Sequence, residues 1–147
     1  MTEATRAVAD RLREAFEAGD LALLGPLLGP GVRWGGPEET EQTCHSPSDV
    51  LAWYGKAQKA GVRAEITEVM ALDTAVVLAL TVSGRGPNSV KRPDLVFQVF
   101  RLVGGLIVDI RGYPQRERAL EAADMAEAAT ATDTRRRTRK GGQSTSC

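Results

Sequence analysis

The stretch DLVFQVFRLVGGLIVDIR, residues 94–111, decides the fold. Two runs rich in β-branched and aromatic residues, Asp94 to Val103 and Leu106 to Arg111, meet at Gly104-Gly105. Gly-Gly between such runs signals a two-residue hairpin, because a type I′ turn needs φ > 0 at both central positions. With that turn, strict alternation pairs Val103 with Leu106, Arg101 with Val108, Val99 with Ile110 and Phe97 with Gly112. One face then carries Leu95, Phe97, Val99, Val108, Ile110 and Gly112, and the other Val96, Gln98, Phe100, Asp109, Arg111 and Tyr113. The apolar set is expected under helices, as the wall of a cavity. The mixed set is expected to face outward and to suit a homodimer interface.

Working outward, Tyr113-Pro114 opens a closing helix to about Ala129. Val62 to Met70 and Thr74 to Ser83 form a second strand pair turning near Leu72-Asp73. Upstream, Val8, Leu12, Ala15 and Phe16 recur at helical spacing until Gly19. Asp20 suits the N-cap of a shorter helix through Leu28, which Pro26 distorts. Pro30-Gly31 breaks the chain before a short strand, Val32 to Trp34. Ser46-Pro47-Ser48-Asp49 is a helix start, and Val50, Trp53, Tyr54 and Ala57 form the buried face of the helix that follows. Helices, then a strand meander, then a helix imply an α+β domain with helices on one face of a curved antiparallel sheet.

The chain has 147 residues, enough for one domain that buries roughly 68–70% of its unfolded surface. Acids and bases balance at 19 each, but residues 130–147 hold five bases (Arg135, Arg136, Arg137, Arg139, Lys140) against Asp133. Residues 1–129 are therefore mildly acidic and read as the folded domain. Residues 130–147 lack apolar groups able to dock and read as a disordered basic tail. With no interleaved aromatics, that tail is not expected to recognise a specific nucleic acid. Nowhere do 18 apolar residues run together, so no membrane span is expected, and the cytoplasm is the default location.

Cys44 and Cys147 supply neither a disulfide framework nor a Cys-x-x-Cys metal signature. His45 is the only histidine, which excludes a multi-histidine metal site, and nothing in the chain calls for a cofactor. The ordinary pKa of His45 suits a general base, against the plainer reading of a residue flanking a helix start. Cys44 near the same helix start is read as an inert, partly buried thiol rather than a nucleophile. Tyr54 suits hydrogen bonding to a ligand carbonyl, or core packing. Glu38, Glu39 and Glu41 read as a solvated acidic loop.

Several segments together resemble the nuclear transport factor 2-like, SnoaL-like family: Glu17-Ala18-Gly19-Asp20-Leu21, Val32-Arg33-Trp34, Val50-Leu51-Ala52-Trp53-Tyr54, Phe97-Gln98-Val99-Phe100-Arg101 and Gly105 to Tyr113. The resemblance, over about Ala4 to Ala123, implies a cone-shaped, cystatin-like α+β barrel with the N-terminal helices on the concave face of the sheet. The family spans polyketide cyclases, ketosteroid isomerases, epoxide-hydrolase-like enzymes, dehydratases and non-catalytic binding domains, among which fold does not choose. Epoxide-hydrolase-like relatives tend to carry Arg-Asp-Tyr at the end of the last strand. This chain has Arg111-Gly112-Tyr113, so the carboxylate of that chemistry is missing. The reading is a domain that binds a small apolar molecule between Trp34, Trp53, Tyr54, Leu95, Phe97, Val99 and Ile110. The alternative is a cyclase or isomerase acting on a polyketide- or steroid-like substrate, with His45 as base and Tyr54 steadying an enolate.

Overall fold

A computed structural model describes residues 3–84 and 94–124. The tail at 130–147, the domain boundary at 129 and the end of the closing helix lie outside these residues. Helix α1 (Glu3–Ala18) buries Val8, Leu12 and Ala15, the stripe its spacing requires. The carboxylate of Asp20 accepts from the Ala22 N–H at 3.0 Å and starts α2 (Leu21–Leu24). Pro26 has no N–H to extend that helix, and the chain tightens into a 3₁₀ turn, Gly25–Leu27. Strand β1 (Leu28–Gly35) follows at once. It begins before the expected break at Pro30, which is tolerated because β1 lies at the sheet edge.

Helix α3 (Pro47–Lys59) starts as its sequence indicates, with the Ser46 hydroxyl accepting from the Asp49 N–H at 3.2 Å. Strands β2 (Arg63–Ala71), β3 (Ala75–Ser83), β4 (Asp94–Val103) and β5 (Leu106–Tyr113) complete the sheet. Their order is β1-β5-β4-β3-β2. All pairs are antiparallel except β1 with β5, so the sheet is mixed rather than wholly antiparallel. The sheet does not close on itself, and the architecture is the curved α+β cone expected. Residues 116–124 form a further helix, α4.

The hairpin turn forms as read, with φ of 60° at Gly104 and 82° at Gly105. Its register does not. Val103 pairs with Leu106 and Leu102 with Ile107, but Arg101 then pairs with Asp109, leaving Val108 as an extra residue in β5. This β-bulge moves the pairing by one, so Gln98 rather than Phe97 sits opposite Gly112. Ile110 and Gly112 keep the inward face they were expected to have, whereas every β4 side chain is reversed. Phe100 is fully buried under α1 and α3 with Leu12, Val50, Val76, Leu78 and Ile110. Phe97 and Val99 point the other way, into a second cluster with Val77, Tyr113, Ala119 and Ala123 beneath α4.

An ion pair from Arg116 to Glu68, 2.8 Å, ties α4 to β2. The outward mixed face drawn from strict alternation therefore does not exist. Gln98 and Phe100 are interior, and the far face carries its own apolar cluster. Phe100→Ala is expected to lower unfolding free energy by about 3–5 kcal/mol in denaturant titration, with a loss below about 1 kcal/mol contradicting its burial.

Candidate functional site

A cleft opens between α1, α3 and the inward face of the sheet. Its interior is built by Phe16 of α1, Trp34 of β1, Tyr54 of α3, Leu80 and Val82 of β3, and Gln98 of β4. Val96 and Gly112 complete the sheet side, while Glu17, Lys59 and Arg63 stand at the exposed mouth. Trp53, expected in the buried face of α3, is 40% exposed. It lies over Trp34 with ring centroids 4.1 Å apart and planes tilted by 39°. Tyr54 meets Phe16 and both tryptophans edge-on at 5.7–6.0 Å. Such aromatic pairs add to the stabilisation from burial alone.

Inside this aromatic wall runs one polar chain. Trp34 Nε1 donates to the Tyr54 hydroxyl at 3.1 Å, and that hydroxyl donates onward to Gln98 Oε1 at 3.4 Å. Burial pushes the Tyr54 phenol up to about 12, outweighing its two hydrogen bonds. Near neutrality Tyr54 is a neutral relay of hydrogen bonds and not a base.

His45 is not among the lining residues. Its Nε2 lies 2.6 Å from the carboxylate of Glu39, which also faces Arg33 at 3.5 Å. Arg33 pairs with Asp109 at 3.6 Å, Asp109 with Arg111 at 3.2 Å, and Arg111 donates to the Pro37 carbonyl at 2.7 Å. Arg33 also donates to the carbonyls of Gly36 and Glu38. The loop read as merely solvated is thus pinned to β1 and β5 by ion pairs. The hydrogen bond from His45, and the charges of His45 and Arg33, hold the Glu39 carboxyl below its ordinary value of 4.5.

Cys44 is fully buried, which keeps it from acting as the nucleophile considered from sequence. Among the described residues, no group of three acidic, histidine or cysteine side chains could hold a metal ion.

Of the residues expected to line the cavity, Trp34, Trp53 and Tyr54 come together there, and Leu95, 52% exposed, lies at the rim. Ile110 is buried in the core beside Phe100, while Phe97 and Val99 lie on the opposite face of the sheet. Gln98 is the functional candidate that strict alternation missed. The available signal was chemical: it is the one uncharged polar side chain in the apolar run from Leu95 to Val103.

A family profile described as a SnoaL-like domain matches residues 9–110. The chain belongs to the SnoaL-like family. No curated protein matches it in sequence. Many solved structures share the fold. A candidate polyketide cyclase from Sinorhizobium meliloti is 20% identical, covers 76% of this chain and all of its own, and superposes with a TM-score of 0.60. A candidate ketosteroid isomerase from Kribbella flavida is 17% identical over 76% of this chain and 77% of its own, with a TM-score of 0.63. An LEH-like epoxide hydrolase from M. tuberculosis is 20% identical over 88% and 96%, with a TM-score of 0.59. At these identities the likeness is one of fold.

Three measurements check the site. Tyr54→Phe leaves Trp34 Nε1 and Gln98 Oε1 without their shared partner and is expected to cost about 1–3 kcal/mol of stability. The same substitution is expected to remove a tyrosine ionisation near pH 12 from the ultraviolet titration; a wild type whose two tyrosines both ionise near pH 10 contradicts the buried relay. Because the Glu39 carboxyl is held low in the folded state, its contribution is present above pH 4.5 and lost as pH falls through the folded value. The stability difference between wild type and Glu39→Gln is therefore expected to shrink as thermal unfolding is followed from pH 5 to pH 3. A constant difference contradicts the pairing.

Proposed function

We propose that this SnoaL-like domain binds a small, largely apolar molecule in the cleft between α1, α3 and the sheet. The observation that carries the reading is the chemistry of the interior. Aromatic and aliphatic walls surround a single uncharged polar chain, Trp34–Tyr54–Gln98, and the charged lining residues are confined to the mouth. Apolar walls with a few convergent polar groups are the usual make-up of a small-molecule site. Gly112 stands at the position where the resemblance to epoxide-hydrolase-like relatives leads one to look for a carboxylate, so hydrolysis of that kind finds no acid or base there.

A cyclase or isomerase is the second reading, favoured by the same polar chain, since Tyr54 and Gln98 offer hydrogen bonds at one position. It needs a base as well. His45, the only histidine, is engaged with Glu39 off the cleft wall. The proposal also takes the protein to be a cytoplasmic homodimer. Among the described residues, no helix is long and apolar enough to cross a membrane. Of the face first read as a dimer surface, Asp109 and Arg111 remain partly exposed, paired with each other and with Arg33. Sedimentation giving twice the chain mass supports the dimer, and a monomer at micromolar concentration removes it.

The chain's two tryptophans both lie in the cleft, so intrinsic fluorescence reports its occupancy directly. Polycyclic apolar probes are expected to change that fluorescence saturably at one per chain. Trp53→Ala is expected to weaken binding about tenfold, and His45→Gln to leave it within a few fold. No saturable change with any probe up to its solubility limit contradicts the proposal, and turnover abolished by His45→Gln favours the enzyme.

A further inference from the structure

We infer that the side-chain amide of Gln98 is the polar anchor of the cleft, and that the molecule it holds is apolar except for a neutral carbonyl-type oxygen. The inference rests on the cleft being a binding site and names the class of ligand. It begins with the direction of the hydrogen bonds. An indole N–H only donates, so the Tyr54 oxygen accepts from Trp34. The single phenolic proton of Tyr54 goes to Gln98, which turns Oε1 toward it. Tyr54 stays neutral, so this proton is present throughout the ordinary pH range.

With Oε1 committed, Nε2 is the free end of the amide. Among the described residues it has no hydrogen-bond partner, although Gln98 is only 8% exposed and lines the cleft. Nε2 itself is not buried, and an amide donor open on the wall of a cleft is a polar point that a ligand acceptor can meet. Space for that partner exists. Gly112 pairs directly with Gln98 across the strands and contributes no side chain. A Cβ placed on Gly112 would meet nothing nearer than Val96 Cγ1, at 3.9 Å.

The environment also selects the charge of the partner. A carboxylate drawn to this depth would lose its hydration and find one neutral amide in return, since Lys59 and Arg63 lie exposed at the mouth. A neutral ketone, ester or quinone oxygen loses far less and accepts the same bond. The fused rings or chains around it would rest on Phe16, Trp34 and Val82.

The test compares 9-fluorenone, fluorene and fluorene-9-carboxylate, which share one ring system, by calorimetry and fluorescence on the full chain. Fluorenone is expected to bind about tenfold more tightly than fluorene, the preference that one hydrogen bond to this donor supplies. The carboxylate is expected to bind more weakly than the ketone. Gln98→Leu keeps the size of the side chain and is expected to bring the fluorenone-to-fluorene ratio close to one. A second readout needs no variant. In ¹H–¹⁵N spectra of the wild type, the Gln98 side-chain amide protons are expected to move downfield with fluorenone and not with fluorene.

Equal binding of ketone and hydrocarbon with an unmoved amide overturns the anchor and leaves the apolar cleft standing. Tighter binding of the carboxylate overturns the neutral class. No binding of any of the three overturns the cleft reading and the anchor with it.

Discussion

The extra residue in β5, Val108, is the constraint on which the interior depends. A strand side chain alternates between faces with period two, so one inserted residue reverses the partner strand relative to strict pairing. Leu102 opposite Ile107 and Arg101 opposite Asp109 leave Val108 between them. From that point Phe100 meets Ile110 under the helices, and Gln98 meets Gly112 in the cleft. The same residue is passed over on the other side of β5, where β1 pairs Leu28 with Ile107 and Arg33 with Asp109. From Arg33 on, β1 runs in step with β5, so Trp34 shares the face of Ile110 and Arg33 that of Asp109.

Two apolar clusters follow from this placement. Phe100, Val76, Leu78 and Leu80 fill the space below α1 and α3, and Phe97, Val99, Val77 and Tyr113 are covered by α4. A sheet buried on both faces reads as a nearly continuous apolar run, which is how β3 appears in sequence: Ala75 to Leu80 is buried without a break. Gln98 interrupts such a run in β4, and its position beside Tyr54 gives the interruption a physical role. The charged residues of β5, Asp109 and Arg111, serve a separate purpose by fastening the loop that carries Glu39 and leads to His45.

Local signals in the chain were legible where the chemistry is local. Asp20 and Ser46 cap their helices, Gly104 and Gly105 take the positive φ their turn requires, and the helical stripe of α1 is buried as spaced. Non-local features were not legible. Nothing in Leu106 to Arg111 marks Val108 as a bulge, so alternation counted from the turn put Phe97 where Gln98 belongs. The parallel pairing of β1 with β5 joins residues far apart in sequence and leaves no local trace. His45 stood out as a lone titratable group, but only the folded loop brings Glu39 to it. Trp34, Trp53 and Tyr54 were found because large aromatics in helix and strand must pack somewhere, and the fold packs them together.

The account turns on which β4 side chains face the helices, and nuclear Overhauser contacts in the labelled protein measure that directly. The Gln98 side-chain amide protons are expected to show contacts to the Tyr54 ring, and the Phe97 ring to the methyl groups of Ala119 and Ala123. Contacts from the Phe97 ring to Trp34 or Tyr54 instead would restore strict alternation through the hairpin. Gln98 would then leave the cleft, and the central claim would fail.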